Sequence, residues 1–280
     1  MTKRRNQPQR FRPAVAALLL SALLGGTVAA RTDAAPQDEA RLALELHRTK
    51  AFAEIQNVMG RRMFYHSIGH NDLELALWSQ RQPIRWGQNQ GCWVGIDSYR
   101  AYYVTHNDKQ RAADLKRLAG INPGIRDVPE NLGVGTSVLH TLTTPVIEVA
   151  GDGESAKAVW YTPGAILMTE DGKTPSGLWI WERYGVDFVH EDGQWRILHL
   201  QVNTDFMNPM GKPLQPQPEE AAQMGAEGVD ASSRDALQPD IAKTQYHAYS
   251  PARPPALFPA LPEPYQTLAD TFEYADCRAE

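Results

Sequence analysis

The chain has 280 residues, of which 28 are Lys or Arg and 33 are Asp or Glu, and its formal net charge at pH 7 is −5. Beyond the first dozen residues no stretch is dense in Lys and Arg, so the electrostatic footprint of a nucleic-acid-binding protein is missing. Two cysteines cannot build a zinc cage by themselves. We therefore expect the partner to be a small molecule rather than a polyanion.

The first thirty residues have the pattern of a secretory signal peptide. A basic leader precedes an apolar run over residues 14–30, which is too short and too interrupted by glycine for a typical membrane span. Val28 and Ala30 supply the small residues that a signal peptidase needs, which places the cut before Arg31. An uncleaved membrane anchor is the alternative. We predict a periplasmic or secreted protein that is not attached to a membrane after cleavage.

Helical patterning opens the mature chain. Apolar residues recur at helical spacing over residues 38–63, which predicts one amphipathic helix or two. Further helices are predicted over residues 72–79 and 97–119, and a Trp-, Gly- and Gln-rich connection over residues 84–95 separates them.

The second half of the domain changes character, because β-branched and aromatic runs take over. Asp-Gly turns join neighbouring runs, so the strands should pair antiparallel as a meander. Five strands are predicted, over residues 137–144, 146–150, 156–168, 177–190 and 195–204. Helices followed by a meander predict an α+β fold: a cone-shaped barrel of a strongly bent antiparallel sheet, packed against three N-terminal helices.

The chain divides into segments of different composition. Residues 38–206 carry the cone domain, whereas residues 207–240 are poor in aliphatic side chains and predict a flexible excursion. Residues 241–280 alternate proline with Tyr, Leu and Phe, so this tail should lie extended across its own or a neighbouring subunit. Cys92 and Cys277 could form a disulfide that ties the tail to the domain, but the sequence does not give their separation.

Three segments carry a family resemblance: RRMFYHSIGHNDLELALW, LHTLTTPVIEVAGDGESAKAVWYTPG and WERYGVDFVHEDGQWRILHLQVNTDF. Over residues 39–206 the chain resembles the SnoaL-like branch of the nuclear-transport-factor-2-like superfamily, which includes scytalone dehydratase, bile-acid dehydratases and polyketide cyclases. The resemblance implies a homodimer or homotrimer, and lyase or isomerase chemistry on cyclic, often phenolic, substrates without metal or organic cofactor. The same fold also hosts proteins without catalytic activity.

Three residues are the catalytic candidates. Tyr65 lies where dehydratase-type relatives carry a pocket tyrosine, and in that role it would stabilise an enolate; packing in the core is the alternative. His70 lies where bile-acid dehydratases carry an aspartate, so a role as base or partner departs from the family pattern. His140 matches a histidine of many members, and an imidazole can remove a proton and then return it near neutral pH.

Aromatic side chains are candidates for the substrate-binding walls. Trp93, Trp160 and Tyr184 flank the segments that would line or cover the hollow, and flat aromatic walls suit a flat substrate. Packing in the core is the alternative for each of them.

Two polar residues of the strands are further binding candidates. Strict alternation places His199 on one strand face with Trp195, Ile197, Gln201 and Asn203, which would suit a semi-polar pocket or a wet subunit interface. Asp187 shares its face with Arg183. It could orient a histidine, accept a substrate hydroxyl, or form a surface ion pair.

His66 and His70 have the spacing of two metal ligands on one helix face. The glutamate of the zinc-protease motif is missing, and no third ligand has a characteristic spacing, although His106, His140 or Asp72 could converge in the fold. We predict neither a metal nor a cofactor. Serine-hydrolase elbows, phosphate-binding glycine loops and C-x-x-C pairs are absent from the sequence.

The sequence thus predicts a cofactor-independent lyase in which His140 takes a proton while Tyr65 stabilises an enolate-like or quinone-methide-like intermediate. Loss of water, carbon–carbon cleavage such as retro-aldol loss of formaldehyde, and isomerisation can all proceed from that intermediate. The alternatives are a non-catalytic periplasmic small-molecule-binding or assembly module, and a metal-dependent enzyme. Two titratable groups that face each other near aromatic walls would favour the lyase.

Overall fold

The computed structural model describes residues 36–217, 238–242 and 246–277. The predicted signal peptide, residues 1–30, lies outside the described residues, and so do residues 218–237 of the predicted excursion.

Helices form the first layer. The first helix, α1 (Pro36–Ile68), buries a stripe with a spacing of four residues, formed by Ala51, Ile55, Met59 and Met63. A 3₁₀ segment (Asn71–Leu77) follows it. None of the helices in the described part of the chain is both long and apolar enough to cross a membrane.

The last helical region is continuous but not uniform. It begins as α2 (Ile96–Tyr99), widens into π-helical turns (Arg100–His106) and continues as α3 (Asn107–Ile121). Such π-helical stretches often occur at functional sites. Here the stretch carries Tyr102 and Tyr103 to the side that faces the sheet.

The long strands form the predicted meander. β5 (Ser155–Thr169), β6 (Pro175–Glu191) and β7 (Gln194–Pro209) pair antiparallel in that order. The β6–β7 turn is built on Asp192 and Gly193, which both have positive φ, as a tight right-twisted hairpin requires.

Shorter strands extend the sheet on both sides. β3 (Thr136–His140) and β4 (Thr143–Val149) pair with different halves of β5. On the other side, β1 (Arg85–Gln88) pairs parallel with β7, its hairpin partner β2 (Gly91–Val94) follows, and β8 (Ile241–Ala242) pairs with β2.

The α+β class with three helical regions packed on a curled sheet is confirmed, with two corrections. Residues 84–95, which the sequence analysis expected to be a connection, contain the β1–β2 hairpin, and its parallel pairing with β7 makes the sheet mixed rather than antiparallel. The sheet order in the described chain, β3-β5-β6-β7-β1-β2-β8, also leaves the sheet open instead of closing it into a barrel. A pairing between segments about a hundred residues apart leaves no local sequence signal.

The tail packs on its own subunit, against the sheet face opposite the helices. The side chains of Tyr246 and Tyr274 are almost fully buried there. Gly185 of β6 allows this close approach, since a Cβ at that position would lie 2.5 Å from Cδ1 of Tyr274. Of the predicted excursion, residues 207–209 instead prolong β7.

A disulfide joins Cys92 of β2 to Cys277 of the tail, with the two Cα atoms 5.6 Å apart. That separation lies in the ordinary range for a disulfide. The bond connects residues 185 positions apart and fastens the end of the tail to the sheet.

The first prediction concerns this bond. Replacing both cysteines (Cys92→Ser with Cys277→Ser) should lower the free energy of unfolding by about 4 kcal/mol, because a long loop is no longer closed in the unfolded chain. Urea unfolding with and without dithiothreitol measures this effect. The reductant should destabilise the wild type and leave the double variant unchanged. Free thiols in the unreduced, denatured wild type would contradict the pairing.

Candidate active site

A cavity of about 290 Å³ lies between the helices and the sheet. One wall comes from α1 and the π-helical turns, and the other comes from β1, β3, β5, β6 and β7. The side chains that carry its chemistry are His66, Tyr102, Tyr103, His140, Glu182 and Tyr184.

Two larger hollows, of about 660 and 630 Å³, lie along the sheet, and the tail lines the first of them. Their linings are mostly apolar and aromatic, with Trp181 and Phe206 shared between them. In the first hollow the charged pair Arg183 and Asp205 is internally satisfied, with Nη2 2.8 Å from Oδ1. The Tyr246 hydroxyl also donates to Asp205, and the lining of the second hollow, as formed by the described residues, contains no Asp, Glu or His, so the smaller cavity is the stronger candidate for catalysis.

His140 ends β3 and projects into the cavity. It pairs with Gly164 of β5, where a Cβ would lie only 3.2 Å from Nδ1 of the imidazole. The side chain is 4% exposed, and its Nδ1 atom makes no hydrogen bond. Burial lowers the pKa of His140 to about 3, and the neighbouring His66 and Arg62 act in the same direction. At neutral pH the imidazole is therefore uncharged.

Glu182 faces His140 from β6, with Oε2 3.6 Å from Nδ1 of the imidazole. Its carboxyl group accepts hydrogen bonds from the Tyr184 hydroxyl at 3.1 Å and from the Thr204 hydroxyl at 3.0 Å. Burial raises the pKa of Glu182 even though these hydrogen bonds and the nearby cationic groups oppose the shift. The cavity thus places a buried carboxyl group, shifted toward its neutral form, next to a neutral imidazole.

A buried ion pair lies beside the cavity. Arg62 Nε is 3.3 Å from Oε2 of Glu74, and the Tyr99 hydroxyl donates to the same carboxylate. The guanidinium also lies 5.6 Å from the ring centroids of both Tyr103 and Tyr184. Burial is the largest single influence on Glu74 and would raise its pKa, but Arg62, His66 and the Tyr99 hydrogen bond together outweigh burial, and the pKa is lowered. The two charges compensate each other, so they hold the cavity wall without adding net charge to it.

The orientation of His66 follows from its neighbour Asn71. The Asn71 amide nitrogen donates to the backbone oxygen of Tyr103 at 2.8 Å, which turns the amide oxygen toward Nδ1 of His66 at 3.2 Å. An amide oxygen only accepts, so Nδ1 of His66 carries the proton. In a neutral His66 ring, Nε2 is then the free acceptor. This ring lies 5.4 Å from the His140 ring, measured between centroids.

Two of the predicted site residues, His140 and Tyr184, line this cavity together. Tyr65 is not among the lining residues; its ring contacts the exposed Phe64. His70 is also outside, with 63% of its side chain exposed, and lies 3.8 Å from Asp72. The expectation that Tyr65 and His140 face one hollow is therefore not met, because neighbouring positions on a helix point in different directions. His66, one residue after Tyr65, occupies the inward direction instead.

The two predicted tryptophan walls are parts of the core. Trp93 packs against Trp86 with ring centroids 4.1 Å apart, and Trp160 lies beside Phe188 at 6.2 Å. Both tryptophans are almost fully buried, and neither lines the cavity. The structure thus supports the alternative of core packing for these two residues.

Asp187 and His199 lie together on the opposite face of the sheet, beneath the tail. Asp187 accepts from His199 at 2.8 Å, from Lys157 at 2.5 Å and from the backbone nitrogen of Tyr274 at 2.8 Å. Asp187 does orient a histidine, but away from the cavity, while the Arg183 side chain pairs with Asp205 instead.

Strict alternation along β7 was a wrong expectation. The β6–β7 register shifts between Asp187 and Phe188, so that Ile197 and His199, which are two residues apart, oppose consecutive residues. A bulge of this kind reverses the facing of the side chains beyond it. Ile197 consequently packs in the core while His199 contacts Asp187 on the other face.

The possible metal ligands do not assemble. His66 lies at the cavity, whereas His70 is largely exposed beside Asp72. Within residues 36–217, 238–242 and 246–277, no group of three His, Cys, Asp or Glu side chains is placed to hold a metal ion.

This arrangement defines an α+β protein with an acid–base pocket between its helices and its sheet. Residues 47–201, more than half of the chain, match the family described as the SnoaL-like domain, and the chain belongs to this family. No curated protein matches the chain.

Solved structures with a similar fold have low sequence identity to this chain. A candidate scytalone dehydratase from Novosphingobium aromaticivorans is 14% identical, with a TM-score of 0.42, over 60% of this chain and 99% of that one. A hexachlorocyclohexane dehydrochlorinase, LinA-type3 from Novosphingobium barchaimii, is 12% identical, with a TM-score of 0.42, over 62% and 99%. An NTF2-like protein with a cystatin-like fold from N. aromaticivorans is 15% identical, with a TM-score of 0.38, over 74% and 99%.

The second prediction concerns the buried ion pair. Glu74→Gln should lower the free energy of unfolding by about 3 kcal/mol, because it leaves the buried guanidinium of Arg62 uncompensated. Chemical denaturation at neutral pH measures the change. The matched control is Glu45→Gln, which removes an exposed partner of Arg41 and should have little effect. Equal effects of the two substitutions would show that the buried pair has no special role.

The third prediction concerns the protonation of His140. Its pKa is lowered in the folded state, so below about pH 6.5 the unfolded chain binds a proton at this residue that the native chain does not bind. Stability therefore falls as the pH is lowered. Between about pH 7 and 5 the wild type should lose about 2 kcal/mol more stability than His140→Gln. Histidine-labelled NMR should show the His140 ring neutral at pH about 5, unlike the histidines of the urea-unfolded chain. A native His140 ring that is charged at this pH would refute the prediction.

Proposed function

We propose that this protein is a cofactor-independent lyase that acts on a cyclic or aromatic small molecule, with His140 as the base. The observation that carries the proposal is the neutral, buried imidazole of His140, which lines the cavity and whose Nδ1 atom makes no hydrogen bond. A base must be unprotonated and reachable by the substrate, and these two properties coincide at His140.

Tyr102, rather than Tyr65, stabilises the enolate. It lines the cavity, and burial raises the pKa of its hydroxyl to about 12. A hydroxyl that stays protonated at neutral pH can donate a hydrogen bond to the oxygen of an enolate as its charge develops. The rings of Tyr102, Tyr103 and Tyr184 also give the cavity aromatic walls that suit a flat ring.

The geometry supports a lyase over a non-catalytic binding module of the same fold. A binder needs only an apolar hollow of suitable shape, whereas burying an acid and a base without mutual compensation costs free energy. Such groups with shifted pKa values tend to be retained where chemistry uses them. His140 and Glu182 are the two facing groups of this kind in the cavity.

We also propose that the protein works in an oxidising compartment, as a periplasmic or secreted protein. The Cys92–Cys277 disulfide supports this proposal, because such bonds persist mainly outside the reducing cytosol. It agrees with the signal-peptide pattern of residues 1–30.

The fourth prediction tests the lyase. Purified protein is incubated with a panel of hydroxylated cyclic ketones, phenols and steroid-like compounds, and mass spectrometry follows loss of water or of formaldehyde. For any substrate that is turned over, His140→Gln should lower kcat/KM by about 100-fold or more, because the proton acceptor is gone.

Two control variants separate the cavity from its surroundings. Tyr65→Phe and His70→Gln should keep near-wild-type kcat/KM, because neither side chain lines the cavity. A folded His140→Gln variant with the parent rate would overturn the proposed function. A large loss of kcat/KM in Tyr65→Phe would instead support Tyr65 as the residue that stabilises the enolate.

A further inference from the structure

Glu182 and His140 form an acid–base pair whose two members can reach one substrate at the same time. Oε2 of Glu182 and Nδ1 of His140 are 3.6 Å apart, and both residues line the cavity. Groups this close can contact substituents on neighbouring atoms of one ring, one accepting a proton while the other donates one. The sequence analysis did not single out Glu182.

The surroundings of Glu182 favour its neutral form. Six ionisable groups lie around it: Arg62, His66, Tyr102, Tyr103, His140 and Tyr184. The cation of Arg62 is compensated by Glu74, and the buried tyrosines remain uncharged. Burial therefore dominates at Glu182 and raises its pKa.

Hydrogen bonds hold the carboxyl group in place. The Thr204 hydroxyl contacts Oε1 and the Tyr184 hydroxyl contacts Oε2, so the group is fixed on the side of the cavity where His140 lies. A carboxyl group held in one orientation can, in its protonated form, donate its proton without reorganising during the reaction.

We propose that Glu182 is the general acid of this site, which protonates the hydroxyl group that a cyclic β-hydroxy carbonyl substrate loses as water. This inference rests on the proposed function, because it requires His140 as the base.

The reaction balances without a cofactor. His140 Nδ1 takes the proton from the carbon next to the carbonyl, and Tyr102 donates a hydrogen bond to the enolate oxygen. The electron pair of the broken C–H bond first forms the enolate. When the enolate returns to the carbonyl, this pair forms the new carbon–carbon double bond and the C–O bond breaks. The departing oxygen takes the proton of Glu182 and leaves as water. The products are an α,β-unsaturated carbonyl compound and water.

The contact between the two residues also restores the enzyme. After the reaction His140 is an imidazolium and Glu182 is a carboxylate, and the two lie close enough to form an ion pair. A proton shift from the imidazolium to the carboxylate returns both to their neutral forms. Neither group then needs to exchange a proton with bulk solvent between turnovers.

The leaving group decides whether an acid is needed. Hydroxide is a poor leaving group, so protonation in the transition state accelerates its departure, whereas chloride departs without a proton. A site built only to expel halide would gain nothing from a neutral carboxylic acid at this position. The placement of Glu182 therefore favours a hydroxyl as the group that leaves.

The first arm of the test needs no substrate. Infrared spectra of the whole protein at neutral pH should show the C=O stretch of a neutral carboxylic acid, and Glu182→Gln should remove this band. The matched control is Glu191→Gln, which changes another buried carboxyl group of β6 outside the cavity and should leave the band in place. If the band is absent from the wild type, or persists in a folded Glu182→Gln variant, the inference is overturned.

The second arm compares two probes that differ in the leaving group, 3-hydroxycyclohexanone and 3-chlorocyclohexanone, with enone absorbance as the readout. Glu182→Gln should slow elimination of water by about 100-fold and change elimination of chloride by less than about threefold. Equal losses on both probes would make Glu182 a positioning residue and overturn its role as an acid. Turnover of the chloride alone by the wild type would overturn the assignment of the leaving group.

The two proposals fail in distinguishable ways. His140→Gln should slow both eliminations, because both require proton removal. If His140→Gln turns over both probes at the parent rate, the proposed function fails. If His140→Gln loses both activities while Glu182→Gln keeps both, only the inference about Glu182 fails. Thermal unfolding of each variant shows whether a lost activity reflects a lost fold.

Discussion

The buried pair between Arg62 and Glu74 is the interaction on which the pocket depends. Arg62 belongs to α1, Glu74 to the 3₁₀ segment, and Tyr99, which donates to Glu74, to α2. Three separate elements are therefore joined at one point under the cavity. Burial of either charge alone would be strongly unfavourable, so the elements are held in the one arrangement in which each charge has its partner. The rings of Tyr103 and Tyr184 cover the guanidinium and become walls of the cavity.

The two faces of the sheet carry different polar clusters with different roles. On the helix side, His140 and Glu182 keep pKa values shifted by burial and leave the imidazole nitrogen without a hydrogen bond. On the other side, the carboxylate of Asp187 is fully used by His199, Lys157 and the tail backbone. A carboxylate such as that of Asp187, whose hydrogen bonds are all made, stabilises the packing around it. A buried imidazole nitrogen without a hydrogen bond, as in His140, is available to a substrate. This contrast separates the candidate catalytic site from a cluster that fastens the tail.

The tail gives the sheet a cover of its own. Its aromatic residues fill the face opposite the helices, and the disulfide fixes its end to β2. The proline-rich composition suits this role, because a chain with few free backbone donors can lie across a surface without entering the sheet. The two larger hollows share the exposed ring of Trp181, and in the first of them Asp205 is already paired with Arg183.

Sequence patterns predicted the site only in part. His140 was predicted from the family resemblance and Tyr184 as an aromatic residue beside the expected hollow, and both line the cavity. Tyr65 was predicted to face the cavity, but its neighbour His66 does so instead. The sequence does not define the rotation of a helix about its axis to within one residue. Glu182 was not predicted, although it lies two residues before Tyr184 and therefore shares the inward face of β6 with it. A charged residue on an inward strand position was the available signal.

The amino-acid sequence by itself determined the α+β class, the helical start of the domain, the meander of β5, β6 and β7, and a strand that carries His140. These features follow from hydrophobic periodicity and turn residues, which act between neighbours in the chain. Only the tertiary structure decided the parallel pairing of β1 with β7, the bulge that turns His199 away from the cavity, and the facing of His140 and Glu182. Each of these features joins residues far apart in the chain. Burial in the folded protein then shifts the pKa values of His140 and Glu182. Neither the contact nor its effect on a pKa exists before the chain has folded.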